Sequence, residues 1–205
     1  MMGTPRRPIT PSPHHPITPP PHYSTTPSLQ PRIPMKAIIL AAGKGTRMKG
    51  LCDAQPKPML PLLNRPMLDH ILGGVREAGI TEVLLVVGTH SEAIERHFGD
   101  GAALGLSIRY AHQRVPTGTG SAALLGKDFT ADSPFLLAFG DIIISRREYA
   151  RLARYYVERG CDTVLTTRWV PDPFRGAAVY VEGDKVVQII EKPTPGTSTT
   201  HFDNA

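Results

Sequence analysis

The sequence contains no long apolar run and little cysteine. No stretch approaches the ~18 apolar residues of a membrane-spanning helix, so no membrane segment is expected. Arg6 and Arg7 have no apolar segment behind them, which argues against a secretory signal. The 2 cysteines, Cys52 and Cys161, are far apart and form no metal-binding spacing. We therefore expect two reduced thiols in a cytoplasmic protein.

Acidic residues are absent from positions 1–34, where 11 of the 21 prolines lie. This segment carries Arg6, Arg7 and Arg32, and therefore most of the net charge of +5. The excess of positive charge lies mostly in this tail, so it does not argue for nucleic-acid binding by the rest of the chain. We predict a disordered proline-rich tail over 1–34. Two alternatives stay open. The segment is a ligand for a proline-binding module, or translation truly starts at Met35.

From Met35 onward, short apolar runs alternate with helical patterns. Buried strands are predicted at 37–41, 83–87, 108–111, 135–139 and 163–167. Helices are predicted at 66–78, from an N-cap at Ser91 to about Gly99, and at 119–125 and 147–159, and a β-hairpin at 177–190. This order predicts a Rossmann-like α/β domain over 35–205, with three α/β/α layers and a mostly parallel central sheet.

A glycine-rich turn, Ala42-Gly43-Lys44-Gly45-Thr46-Arg47, follows the first strand. Its glycines let the backbone approach a polyphosphate closely, and Lys44 and Arg47 add positive charge. A P-loop needs Ser or Thr directly after the lysine, and a dinucleotide fingerprint needs a third glycine where Met48 stands. The turn therefore binds phosphate in another way, or not at all.

Two further segments are expected at the same edge of the sheet, because ligands bind at the carboxyl ends of parallel strands. Gln113 and the loop around Gly118 follow the third strand, and Asp141 follows the fourth. A carboxylate in that position suits Mg²⁺. Asp128 and Asp132 precede the fourth strand, so we expect them at the opposite edge.

A second motif downstream of the glycine-rich turn makes the sequence pattern more specific. The run Leu40-Ala41-Ala42-Gly43-Lys44-Gly45-Thr46-Arg47-Met48 is followed by Pro56-Lys57-Pro58. This pair of motifs resembles the signature of the sugar-1-phosphate nucleotidylyltransferases, and the resemblance covers the chain from Met35 onward. It implies Mg²⁺-dependent transfer of a nucleoside monophosphate from a nucleoside triphosphate to a sugar-1-phosphate, with release of pyrophosphate.

The resemblance also implies roles for individual residues. Arg47 holds the pyrophosphate, Lys57 bridges the phosphates of both substrates, and Asp141 binds the metal. Nucleotide-binding residues are Leu40, Ala42, Gly43, Gly45, Thr46, Gln113, Gly118 and Thr119. Sugar-phosphate-binding residues are Gly176, Glu191, Lys192 and Asn204. Arg175 replaces an expected aromatic residue beside Gly176. We favour a pyrimidine triphosphate.

Several alternatives stay open at this point. The chain is interpreted as incomplete at its C-terminus, because the resemblance implies further sheet and helix and a second metal ligand. A catalytically inactive regulatory or binding relative, and a nucleotidylyltransferase for a non-sugar phosphate, are the other functions considered. No nucleic-acid or membrane partner is expected, and the oligomeric state is open, with a homo-oligomer among the alternatives.

Overall fold

The described part of the chain is built from two four-stranded sheets and the helices that pack on one of them. The computed structural model describes residues 35–43, 55–88, 91–115 and 117–204. In chain order the elements are β1 (Lys36–Ala41), β2 (Pro61–Leu62), β3 (Arg65–Pro66), α1 (Met67–Glu77), β4 (Glu82–Val87), α2 (Glu92–Phe98), β5 (Ser107–His112), α3 (Thr119–Leu124), α4 (Lys127–Thr130), β6 (Phe135–Phe139), α5 (Arg146–Arg159), β7 (Thr167–Trp169), β8 (Ala177–Glu182), β9 (Lys185–Glu191) and β10 (Phe202–Asn204), with 3₁₀ turns at Lys57–Met59 and Ala102–Leu104.

The first sheet has the strand order β5-β4-β1-β6, and every neighbouring pair is parallel. In the centre, Ile39 pairs with Leu85 on one side and with Ala138 on the other. Ile39 and Leu85 are fully buried. Strands covered on both faces need apolar residues at every position, which is why these segments are continuous apolar runs. The four strands predicted for this sheet are confirmed.

Helices cover both faces of this sheet. Ile39, Leu85 and Val87 face α1, α2 and α5, through side chains such as Leu72, Ile94 and Tyr149. The alternate positions, Ile38, Leu40, Leu84 and Val86, face α3 and α4 through Ala122 and Phe129. Because successive residues of a strand point to opposite faces, one apolar run serves both layers. The predicted three-layer α/β/α arrangement is confirmed.

The second sheet is antiparallel, with the order β7-β10-β8-β9, and contains the predicted hairpin as β8 and β9. The strand predicted at 163–167 is wrong, because the strand runs from Thr167 to Trp169 instead. There, Thr167 pairs with Asn204 and Trp169 with Phe202.

The helix predicted from Ser91 is present, but its cap is not of the expected kind. Ser91 occupies the N-cap position with φ −73° and ψ −24°, and its side chain makes no capping hydrogen bond. These are helical angles, whereas a capping serine has an extended backbone.

No helix in the described part of the chain has both the length and the apolar character needed to cross a bilayer. The tail over 1–34 lies outside the described residues, so its disorder stays a prediction.

Candidate active site

Backbone segments crowd together where the strands of the parallel sheet end. A Cβ atom built on Gly88, after β4, would lie 2.9 Å from the carbonyl oxygen of Ala42. One built on Gly140, after β6, would lie 3.2 Å from the carbonyl oxygen of Leu40. The Gly140 amide donates to that same carbonyl at 2.8 Å. Glycine at these positions lets the loops after β1, β4 and β6 meet at one edge.

A cavity of about 320 Å³ opens at this edge. Eight of the residues predicted from sequence line it, namely Leu40, Ala42, Gly43, Lys57, Gln113, Gly118, Thr119 and Asp141. Sequence reasoning missed Ala41, Pro58, Ala122 and Phe139, which also line it. Ala41 and Phe139 are the last residues of β1 and β6, so their position beside the predicted loops was the available signal. Arg47, Gly45 and Thr46 lie outside the described residues.

Lys57 and Asp141 form an ion pair in the cavity wall. The Lys57 Nζ donates to Asp141 Oδ2 at 2.8 Å, across 84 positions of sequence. Lys57 begins a 3₁₀ turn between Pro56 and the buried Pro58, and the fixed φ of proline limits the freedom of this loop. Both side chains are partly exposed, so the pair contributes little to stability. The contact places a cation and a carboxylate side by side at the carboxyl edge.

Gln113 is held beside these groups by the end of β4 and by the loop before α3. Its backbone amide donates to Val87 at 2.8 Å, which extends the β4–β5 ladder by one residue. Its side-chain Nε2 donates to the Gly118 carbonyl and to Ser121 Oγ, both at 3.3 Å. Gly118 has φ +113°, a region open to glycine but not to other residues. The loop therefore depends on glycine at this position.

The four predicted sugar-side residues lie in the strands of the second sheet or directly beside them, and none of them lines the cavity described above. The Lys192 amide donates to the Gly176 carbonyl at 2.8 Å, and the Asn204 Oδ1 accepts from the Ala177 amide at 3.1 Å. Lys192 itself has φ +46°, a conformation that costs energy in a residue other than glycine. Gly176, Lys192 and Asn204 thus share one backbone neighbourhood. Glu191 adjoins it, with its Oε1 3.6 Å from Lys192 Nζ.

Within the described ranges, no three His, Cys, Asp or Glu side chains lie close enough to form a metal site by themselves. Asp141 is nevertheless compatible with Mg²⁺, since only its Oδ2 contacts Lys57 and Oδ1 is not used in that contact. Mg²⁺ often binds one or two protein carboxylates and takes its other ligands from water and phosphates. Asp128 belongs to α4 and Asp132 precedes β6, so both lie at the opposite edge, as expected.

A parallel α/β sheet with a glycine-rich turn and a Lys–Asp pair at its carboxyl edge is typical of a nucleotide-binding domain. Residues 36–202 match the profile of the family described as Nucleotidyl transferase, and the chain belongs to this family. It is 36% identical over 160 residues to a glucose-1-phosphate thymidylyltransferase from Xanthomonas campestris pv. campestris (strain B100). The aligned region covers 77% of this chain and 54% of that protein.

Two other relatives show similar coverage of the chain. Identity is 36% over 159 residues with a mannose-1-phosphate guanylyltransferase from Mycobacterium tuberculosis (strain ATCC 25618 / H37Rv), across 76% of this chain and 44% of that protein. A structure assigned as a glucose-1-phosphate thymidylyltransferase from Bacillus anthracis, in complex with a sucrose, matches with a TM-score of 0.70 and 26% identity, over 83% of this chain and 68% of that one. The chain spans about half the length of the curated relatives it matches.

Proposed function

We propose that this chain transfers a nucleoside monophosphate from a nucleoside triphosphate to a sugar-1-phosphate, giving a nucleotide sugar and pyrophosphate. The observation that carries the proposal is the 2.8 Å contact between Lys57 and Asp141 in a cavity at the carboxyl edge of the parallel sheet. The family and the relatives named above, which use sugar-1-phosphates by name, support it.

The reaction needs positioning and charge neutralisation rather than a covalent intermediate on the protein. An oxygen of the sugar-1-phosphate attacks the α-phosphorus, the bond to the bridging oxygen breaks, and pyrophosphate leaves. Lys57 can contact phosphate oxygens from its place in the cavity wall, and its positive charge opposes the negative charge that develops there. Arg47, outside the described residues, is proposed to hold the departing pyrophosphate, because its planar fork can bind two oxygens at once.

Mg²⁺ is the cofactor that we propose, with Asp141 as its protein ligand. Bound there, it would supply further neutralisation of phosphate charge. Asp141 then has two tasks, since the same carboxylate also contacts Lys57 and so fixes the lysine beside the phosphates. Removal of divalent metal with a chelator should abolish transfer and leave the melting temperature of the nucleotide-free protein unchanged. The second metal ligand and a cytoplasmic location stay predictions.

The substrates divide between the two sheets in this proposal. Gln113, Gly118 and Thr119 contact the base and sugar of the nucleotide, since they line the same cavity as Lys57. Leu40, Ala42 and Gly43 provide its backbone wall. Gly176, Glu191, Lys192 and Asn204 bind the sugar-1-phosphate, and Lys192 supplies a charge for its phosphate. Their shared backbone neighbourhood supports this assignment.

The experiment is a panel assay of five nucleoside triphosphates against several sugar-1-phosphates and phosphocholine, with Mg²⁺, measured by pyrophosphate release. We expect release with at least one sugar-1-phosphate, and a 100- to 1000-fold slower rate, roughly, for Lys57→Ala, the usual effect of removing one preorganised charge contact. The exposed Lys127 of α4 offers a matched control, and Lys127→Ala should keep the wild-type rate. Release with phosphocholine alone would favour the non-sugar function, and no release with any pair of substrates would contradict catalysis by this chain.

A further inference from the structure

Two hydrogen bonds join the loop that follows β9 to the segment that precedes β8. The Lys192 amide donates to the Gly176 carbonyl at 2.8 Å. Further along the loop, the Gly196 amide donates to Asp172 Oδ2, also at 2.8 Å. The two segments on the proposed sugar side are therefore held together at both ends of the stretch from 192 to 196. Asp172, to which no role has been given, supplies one of these two contacts.

The Gly196 amide can make this contact because of the turn in which it lies. Pro195 precedes Gly196, which has φ +77°, and the Thr197 amide donates to the Thr194 carbonyl at 3.1 Å. Proline followed by a residue with positive φ, closed by a hydrogen bond from the fourth residue to the first, is typical of a type II turn. The amide of the third residue takes no part in that hydrogen bond. Gly196 thus presents its N–H to Asp172, and its backbone conformation favours glycine.

The segment around Asp172 is held in place independently of this contact. Asp172 lies between Pro171 and the buried Pro173, whose rings restrict the backbone on both sides of it. The Pro171 carbonyl accepts from His201 Nδ1 at 3.0 Å, which ties this segment to the residue before β10. Oδ1 of Asp172 is buried and has no hydrogen-bond partner in the described part of the chain. Loss of the bond to Gly196 would therefore leave the carboxylate poorly paired, which costs free energy in a charged group.

Lys192 depends on this support because its backbone is strained. Its φ of +46° is unfavourable for a residue other than glycine, and such a conformation persists only where the neighbouring structure imposes it. Its side chain is 69% exposed, and the Glu191 carboxylate 3.6 Å away forms only a weak surface ion pair with it. The backbone therefore sets the direction of the Lys192 side chain. Gly176 holds that backbone on one side, and the Asp172–Gly196 bond holds it on the other.

We propose that Asp172 is a positioning residue, which acts through Gly196 to hold the loop after β9 in the conformation in which Lys192 binds the phosphate of the sugar-1-phosphate. This inference rests on the proposed function, which assigns that phosphate to Lys192. Asp172 does not line the nucleotide cavity. Its loss should therefore weaken the binding of sugar-1-phosphate and leave that of the nucleoside triphosphate unchanged.

The test is the pyrophosphate-release assay of the whole chain, with the triphosphate and the sugar-1-phosphate that give the fastest release. Asp172→Ala should raise KM for the sugar-1-phosphate about tenfold, as expected from one lost hydrogen bond to a charged group, and leave KM for the triphosphate within about twofold. Asp172→Asn keeps an acceptor oxygen for the Gly196 amide and should restore most of the affinity. Asp132→Ala, at an exposed position outside both segments, is the matched control and should change neither KM.

Gly196→Ala tests the same contact from its other side. The Cβ position of Gly196 is open, so alanine there adds no clash and acts only through the positive φ of the turn. This variant should also raise KM for the sugar-1-phosphate selectively. Combined with Asp172→Ala it should do little further harm, because both changes break one bond. If Asp172→Ala fails to fold, Gly196→Ala alone decides the question.

Hydrogen exchange gives a readout that does not depend on catalysis. The Gly196 amide should exchange faster in Asp172→Ala than in the wild-type chain, and Asp172→Asn should restore its protection. If the wild-type chain releases no pyrophosphate with any pair of substrates, the proposed function fails, and this inference with it. If the chain is active and Asp172→Ala keeps the wild-type KM for the sugar-1-phosphate despite faster exchange at Gly196, only the inference is overturned. Equal rises in both KM values, with a lower melting temperature, would show a general structural role and would overturn it as well.

Discussion

At the scale of single residues, the buried carboxylate of Asp203 connects three strands of the second sheet beside the proposed sugar-side residues Gly176 and Asn204. Asp203 is only 2% exposed. Its Oδ2 accepts from Arg168 Nε and Nη2 at 3.0 and 2.7 Å, and its Oδ1 accepts from the Ala177 amide at 2.9 Å. A buried carboxylate needs such partners, because an unpaired charge in the interior is costly. Asp203 thereby holds β7 and β8 against β10, the strand that also contains Asn204.

Tyr149 gives a prediction at the same scale. Burial against α1 raises the pKa of its hydroxyl from 10.0 to about 12. Between pH 10 and 12 the folded protein then holds a proton that the unfolded chain has lost, so the free energy of unfolding falls as the pH rises. Tyr149→Phe should make this fall shallower, measured as urea unfolding from pH 9 to about 12. Tyr155→Phe, an exposed position on the same helix, is the control, and equal slopes in the two variants would contradict the assignment.

Individual residues of the site were predictable to different degrees. Lys57 and Asp141 could be found because each lies in a short recognisable motif, and the structure brings them to 2.8 Å. Asp203 was not found. It matters through its contacts with distant residues, such as Arg168 at a separation of 35 positions. No local pattern distinguishes Asp203 from an exposed residue of an edge strand.

At the scale of elements, the start of β8 packs closely against β10 where Gly176 meets Asp203. A Cβ atom on Gly176 would collide with the Asp203 carboxylate, so the start of β8 can approach β10 only with glycine at this position. The same approach allows the Ala177 amide to reach both Asp203 and Asn204. The proposed sugar side therefore depends on the packing of two strands as much as on its own side chains.

Gly176→Ala and Gly120→Ala should change stability in opposite directions. The first must displace a buried, hydrogen-bonded carboxylate, and we expect a loss of about 1–3 kcal/mol. Gly120 lies within α3 with no atom near its Cβ position, so alanine there should gain about 0.5–1 kcal/mol from a stiffer helical backbone. Thermal and urea unfolding of both variants provide the measurement. A neutral Gly176→Ala would show that Asp203 can move aside at no cost.

Elements differ in how clearly the sequence reveals them. The central strands β1 and β4 are buried on both faces, and their continuous apolar runs predict them well. β7 was misplaced because a strand exists only where it has a partner, and β10 pairs with residues 167–169. The short hairpin of β2 and β3 was missed. Its turn residues Leu63 and Asn64 both have positive φ, yet the glycine that usually marks such a turn is absent.

At the scale of the whole molecule, the two sheets differ in how they meet solvent. The central strands β1 and β4 of the parallel sheet are buried at five of their six positions each, whereas β9 has no buried residue along its seven positions. Val186, Val187, Ile189 and Ile190 are between 37% and 53% exposed. β9 is also the outer strand of its sheet, with one edge that is not paired within the described residues. Exposed apolar surface next to an open edge favours association between chains.

We therefore expect the chain to associate as its concentration rises, measured by size-exclusion chromatography with light scattering. Val187→Lys combined with Ile189→Lys removes the two most exposed apolar side chains of β9 and adds charges that oppose edge pairing, so this variant should stay monomeric to higher concentration. Gln188→Lys is the control, because it adds charge to the same strand without removing apolar surface. If the control suppresses association as well as the double variant does, net charge rather than the apolar surface of β9 governs it. A wild-type chain that stays monomeric at every concentration would show that this surface is tolerated in water.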